Sequence, residues 1–249
     1  MSKFRLISAL VLMSIFSTQS VASLNIAVAS NFKTSAQHIA KQFTKEFGID
    51  VKLSSASTAT LYQQVLRGAP FDVFLSADQK HIQLLVDAEK VEQPPFLYAQ
   101  GRLVFWKPEI TRVPTLQDFM LYNERLAIAN PKFAPYGIAA QETLESMKKW
   151  QTQPYVKGNN INQAYQFVES KNVNAGLVSY AAVVQKKQSH FVMIPEEWHQ
   201  PIAQYGIVLS GKSLEGKKAG DKKLHDANLF RTYLLSENTR NYIKSQGYN

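Results

Sequence analysis

The 249-residue chain contains no cysteine. Disulfide cross-links and thiolate metal sites are therefore excluded, and the fold must be held by its packed core alone. The five histidines, at 38, 81, 190, 199 and 225, are scattered without an H-x-x-x-H spacing, which argues against a metal centre. There is no G-x-S-x-G, and the pattern places no His–acid pair beside Ser30, Ser57 or Ser76, so a nucleophilic hydrolase has little support. Acids are also scarce: 19 Asp and Glu against 28 Lys and Arg leave a net charge of +9. That excess suits an anion or an acidic surface as a partner, and it suits plain solubility equally well. No fixed-period repeat occurs, and beyond the first residues no segment is long and apolar enough to span a bilayer.

The start of the chain, MSKFRLISALVLMSIFSTQSVAS, is of another kind. Lys3 and Arg5 precede an apolar stretch from Leu6 to Phe16, and Ser20-Val21-Ala22 has the small-x-small form of a cleavage site. This is the layout of a cleaved signal peptide over 1–22. Its apolar run is about half the ~20 residues needed to cross a membrane as a helix. Removing Lys3 and Arg5 leaves 26 basic residues against 19 acidic ones, a net charge of +7.

One short pattern points to nucleotide chemistry. Residues 206–213, GIVLSGKS, satisfy G-x-x-x-x-G-K-[ST], a loop whose backbone amides wrap a phosphate. Here Ile207, Val208 and Leu209 are large and apolar and read as a strand. The following LEGKKAGDKK, with Gly216 and Gly220, gives no helix for the lysine to open, and GKKAGDKK (216–223) reads as an exposed loop. The context contradicts the pattern.

What recurs instead is a strand that runs through a polar turn into a helix start. NIAVA (25–29) is followed by Ser30-Asn31, then by Phe32, Ala36, Ile39, Ala40, Phe43 and Phe47 at helical spacing. Val51 and Leu53 end a second strand, Ser54–Thr60 is rich in hydroxyls, Leu61 and Val65 begin a helix, and Gly68 stands at its C′ position. Leu126–Ala129 is a third strand; Pro131 and Pro135 bar helix through the loop before the face Ala140, Leu144 and Met147. In VKGNNINQAYQFVES, Asn159 or Asn160 caps a fourth helix. FDVFLSAD (71–78), NAGLVSYAAV (174–183) and AQYGIVLS (203–210) are strand-like. Asp72 and Asp78, flanking a buried strand, read as turn and cap residues. The alternation predicts an α/β chain with mostly parallel sheet. In such sheets ligands bind where strand carboxyl ends meet helix starts, and helix starts carry free N–H groups and about half a positive charge.

These stretches resemble the periplasmic molybdate-binding proteins of ABC importers, within the type II periplasmic-binding-protein superfamily. The resemblance is carried by NIAVASNF, SSASTATLYQQVLRGAPFDVFLSADQK (54–80), LAIANPKFAPYGIAAQETL (126–144), NAGLVSYAAV and LLSENTRNYIKSQGYN (234–249), and it covers essentially the whole mature chain. It implies two α/β lobes joined by two crossovers, with lobe 1 formed by 23–106 and 200–249 and lobe 2 by 107–199. It also implies a periplasmic, monomeric binding protein and not an enzyme. Such a protein uses no cofactor and no nucleic acid, closes over molybdate or tungstate, and delivers its ligand to an ABC permease. Another oxyanion such as sulfate or chromate, or a small organic acid, stays open as the ligand; an exported nucleotide enzyme is the remote alternative. Carried over position by position, the ligand residues are Ser30, Asn31, Thr58, with Ser57 beside it, Tyr136 through its N–H, and Ile161 through its N–H. No cation would be coordinated directly, since the metal arrives as an oxyanion. One subgroup of the family uses a tyrosine from the strand GLVSYAA; here the matching residue is Ser179, with Tyr180 one step on, so the chain resembles more nearly the subgroup with Asn31 and Tyr136.

Overall fold

The computed structural model describes residues 23–186, 190–209 and 221–249. The leader expected over 1–22 and Ser210–Ser213 of the Gly-Lys motif lie outside them. Two five-stranded sheets organise the chain. The first is built from β1 (Leu24–Ala29), β2 (Val51–Ala56), β3 (Val73–Leu75), β4 (Phe96–Gly101) and, from far along the chain, β10 (Ile202–Val208), in the order β2-β1-β3-β10-β4. The second contains β5 (Leu103–Trp106), β6 (Leu126–Ala129), β7 (Tyr155–Gly158), β8 (Ala175–Ser179) and β9 (Phe191–Met193), in the order β7-β6-β8-β5-β9. The helices are α1 (Lys33–Phe47), α2 (Thr58–Leu66), α3 (Lys80–Asp87), α4 (Leu116–Leu121), α5 (Pro135–Ser146), α6 (Ile161–Glu169), α7 (Tyr180–Val183), α8 (Asp221–Leu234) and α9 (Glu237–Ser245). No helix among the described residues is long and apolar enough to cross a membrane.

Both sheets share one plan. Three strands are parallel, β2-β1-β3 in one and β7-β6-β8 in the other, and a fourth is inserted antiparallel beside them. The inserted strands, β10 and β5, are the first strands after each passage between the lobes. The sheets are therefore mixed, and their antiparallel share follows from the two crossings.

The first crossing is abrupt. Gly101 pairs with Ile202 in the first sheet, and Leu103 pairs with Ser179 in the second, so the chain changes lobes at Arg102. This corrects the expected boundary after Trp106: RLVFW belongs to the second lobe. In the run FLYAQGRLVFW the one mark of the change is Gly101, a lone glycine that is easily passed over because a strand on either side of one residue looks like one long strand. The chain returns through a single 3₁₀ turn, Glu196–Trp198, before β10.

Other local expectations also shift. Pro135 does not bar helix but opens α5 at its first position, where a missing N–H costs nothing. NAGLVSYAAV is only half strand, since Tyr180 begins α7. Asp221–Lys223, read as part of an exposed loop, form the first turn of α8. In the nucleotide-like motif, Ile207 and Val208 lie fully buried in β10 and Leu209 bridges Val91, so these residues belong to a sheet and not to a phosphate-wrapping loop.

Each lobe has its own core. In the first, strand alternation sends Leu24, Ile26, Val28, Val73, Leu75 and Val208 to one face, against Phe32, Phe43 and Phe230, and Ala27, Phe74 and Ile207 to the other, against Leu61, Val65 and Leu85. Burying each of the larger side chains contributes about 1.5–3 kcal/mol. The second lobe packs Val104, Phe105, Ile128, Leu144, Leu177 and Val178 into a single cluster. Two carboxylates are taken inside the first, Asp226 and Asp72; Asp72 accepts from the Asn25 N–H at 2.7 Å and lies 3.5 Å from Lys223 Nζ. Loss of solvent holds its carboxyl above the ordinary value, against the opposing pull of the Asn25 N–H and Lys223. An acid whose folded value is raised binds protons more readily folded than unfolded, so its contribution to stability grows as pH falls through that value. In urea denaturation, the native protein is expected to gain stability relative to Asp72→Asn between pH 7 and pH 4; a difference that stays flat or reverses would contradict this.

Candidate functional site

Three helices start at the carboxyl ends of parallel strands, and their first amides lack protein partners. In α2, Ser57 is the N-cap: its Oγ accepts from Thr60 N at 3.4 Å and meets Thr60 Oγ1 at 2.7 Å. In α5, Ala134 is the N-cap and Pro135 supplies no N–H, so Tyr136 carries the first donor. The turn lies so tightly on the end of β6 that a Cβ at Gly137 would stand 2.6 Å from the Ala129 carbonyl oxygen, which leaves glycine as the residue that fits. In α6, Asn160 caps by accepting from Gln163 N at 3.0 Å, while Gln163 Oε1 accepts from Asn159 N at 2.6 Å. Among the described residues, the N–H groups of Thr58, Tyr136 and Ile161 have no acceptor. These are the orphan donors that every helix start leaves behind. The fourth piece is the single turn Ser30–Phe32 that follows β1.

The lobes bring these pieces together. Ala59 N, one residue into α2, donates across the cleft to the Phe133 carbonyl at 3.1 Å, beside the start of α5. Helix α6 packs against the Ser30–Phe32 turn. Within the second lobe, Asn130 N donates to the Gly158 carbonyl at 2.7 Å, which ties the loop before α5 to the end of β7 just before α6.

The six residues expected from sequence take different parts. Thr58 is buried, and its Oγ1 accepts from Ala77 N at 3.1 Å, which leaves the hydroxyl proton as its available donor. Ser57, also buried, is committed to its cap. Ser30 is half-buried, and its hydroxyl has no protein partner among the described residues. Asn31 Nδ2 donates to Gln204 Oε1 at 2.9 Å, and its carbonyl accepts from Tyr248 OH at 2.8 Å. Tyr136 and Ile161 are both buried. None of the six is charged. Ser179 is buried at the start of α7, whereas the Tyr180 ring lies beneath the Arg102 guanidinium and edge-on to Phe191.

The structure adds three residues that sequence reasoning passed over. Gln204, fully buried in β10, accepts from Asn31 and from Tyr98 OH at 3.0 Å, and its Nε2 reaches Tyr136 OH at 3.5 Å. Tyr98 OH also reaches the Ser76 carbonyl at 3.1 Å. Burial pushes the hydroxyls of Tyr98, Tyr136 and Tyr248 well above their ordinary range, so all three are neutral hydrogen-bonding groups. A signal for Gln204 was present in the sequence: Ile202, Gln204 and Gly206 share one side of a strand, so alternation places the amide inward. A buried amide must find partners.

These uncharged, donor-rich groups lie on elements that meet at the seam of the two lobes, and N–H and O–H groups with helix ends behind them are of a kind that can hold an anion. Comparison with known proteins agrees with that chemistry. The molybdate-binding protein ModA of Rhodobacter capsulatus is 36% identical over 187 residues, 74% of each chain. ModA of Azotobacter vinelandii is 32% identical over 235 residues, covering 91% of this chain and 90% of its own. The solved periplasmic molybdate-binding protein of Azotobacter vinelandii superposes with a TM-score of 0.83 at 28% identity, over 91% of this chain and 99% of that one. With the family model for bacterial extracellular solute-binding proteins matching residues 24–249, the chain belongs to that family.

Proposed function

We propose that this solute-binding protein captures molybdate or tungstate in the periplasm, after removal of its leader, and delivers it unchanged to an ABC permease. It works as a monomer, needs no cofactor and has no affinity for nucleic acid. The reading is supported by three unpartnered helix-start amides and the Ser30 and Thr58 hydroxyls on elements that the two lobes bring side by side, none of them on a charged residue. Similarity to proteins named for molybdate binding supports the same ligand. In this reading Ser30, Asn31 and Thr58 donate through side chains and Tyr136 and Ile161 through the backbone, while Ser57 holds the first turn of α2 in place.

Neutral donors suffice on energetic grounds. A hydrogen bond to a charged partner contributes roughly 1.5–3 kcal/mol, so six or seven give about 10–20 kcal/mol gross. Dehydration of the dianion and ordering of the lobes remove much of this; a remainder of about −8 kcal/mol already corresponds to micromolar affinity. Fixed donors also measure size. Molybdate and tungstate share dimensions, sulfate is smaller and leaves some donors out of reach, and protonated phosphate brings a hydrogen that needs an acceptor.

A thermal-shift series with molybdate, tungstate, sulfate, phosphate and ATP tests the ligand class. Molybdate and tungstate should stabilise alike, by about 2.7 kcal/mol at a hundred times the Kd, with little effect from the others. Equal stabilisation by sulfate, or a response to ATP alone, would overturn the reading. In calorimetry, Ser30→Ala and Thr58→Ala are each expected to weaken molybdate binding by about 1–3 kcal/mol. Unchanged affinity in both would move the socket elsewhere.

A further inference from the structure

The side chain of Tyr136 does something that its place in the site does not require. Its backbone N–H faces the ligand in the proposed function, yet its ring, carried by α5 of the second lobe, is buried to 1% exposure and runs across the seam. The hydroxyl ends in a socket of the first lobe, where it meets Gln204 Nε2 of β10 at 3.5 Å. The floor of that socket is Gly101, the last residue of β4 before the crossing. A Cβ there would collide with the Tyr136 hydroxyl and stand 2.8 Å from Cζ of its ring and 2.9 Å from Gln204 Nε2. Gly101 takes no left-handed conformation, so the missing side chain serves space and not backbone geometry. Gln204 then joins the parts: its Oε1 accepts from Asn31 of the first lobe and its Nε2 donates to Tyr136 of the second.

A tyrosine buried between two lobes is most simply core packing. Two features separate this one from packing alone. Its hydroxyl is received by a buried amide that also orients Asn31, and the cavity exists only because position 101 lacks a Cβ. We propose that the Tyr136 side chain is the plug through which lobe closure sets ligand affinity, with Gly101 and Gln204 as its positioning residues. The inference rests on the oxyanion reading. When the ring is seated, the Tyr136 N–H and the Asn31 side chain are held in register from opposite lobes. When it is not, the two sets of donors are uncoupled, and the fraction of protein competent to bind falls, with the apparent affinity falling in proportion.

A double-mutant cycle on the mature protein tests this, with molybdate affinity read by calorimetry and unliganded melting temperature read alongside. Gly101→Ala is expected to weaken binding about tenfold or more by keeping the ring out, with little change in unliganded melting. In a Tyr136→Leu background, where no hydroxyl reaches the socket, the same Gly101→Ala change should cost nothing further. Equal losses in both backgrounds would mean ordinary strand damage and overturn the inference, as would native affinity in Gly101→Ala. Should Gly101→Ala fail to fold, Tyr136→Phe decides: it keeps the ring and the N–H, and about fivefold weaker binding with unchanged melting supports the plug, whereas native affinity rejects it. A native protein that binds no oxyanion overturns the reading beneath, and the plug with it; native binding with an additive cycle overturns the plug alone.

Discussion

An α-helix cannot satisfy its own first amides, and in the proposed function the architecture of this protein turns that deficit into a site. Helices α2, α5 and α6 each begin where a parallel strand ends, and their caps leave amides without an acceptor, among them Thr58, Tyr136 and Ile161. Buried donors of this kind are costly when unpaired. Placed together at the seam of two lobes, they are best satisfied by one small ligand that accepts on every side. A tetrahedral oxyanion has that property, and a carboxylate side chain at the same place would compete for the donors it needs.

The rest of the fold serves to set those ends against one another. Each lobe has its own core. The chain passes between lobes at Arg102 and again around the 3₁₀ turn Glu196–Trp198, and in both cases the arriving strand is inserted antiparallel in the new sheet. The inserted strand β10 brings Gln204 beneath Asn31, and the crossing at Gly101 leaves the space that Tyr136 enters. The lobe crossing at Gly101, the buried Tyr136 ring, Gln204 and Asn31 thus meet through direct contacts.

Much of this was legible in the sequence because it is local. NIAVAS followed by helical spacing, the Gly68 C′ position, now seen at φ 83°, and the Asn160 cap are read from neighbours within a few residues. The proposed donor set comes from resemblance position by position, and the structure shows only what its members do within the chain: Ser57 caps, and Thr58 accepts from Ala77 N. What stayed hidden is long-range. Beside Arg102 only the lone Gly101 hints that one apparent strand is two, because sheet membership is decided by partners some hundred residues away at Ile202 and about eighty away at Ser179. Gln204 and Tyr248 reach Asn31 from the far end of the chain, so only the folded structure shows that Asn31 is held at both its amide and its carbonyl.

The most direct measurement is a crystal structure grown with molybdate, with the metal located by its anomalous signal. The metal should lie between the four strand ends, with its oxygens about 2.7–3.1 Å from the Ser30 and Thr58 hydroxyls and from the Tyr136 and Ile161 amides. Metal found elsewhere, or held by lysine or arginine at the surface, would contradict a cage of neutral donors.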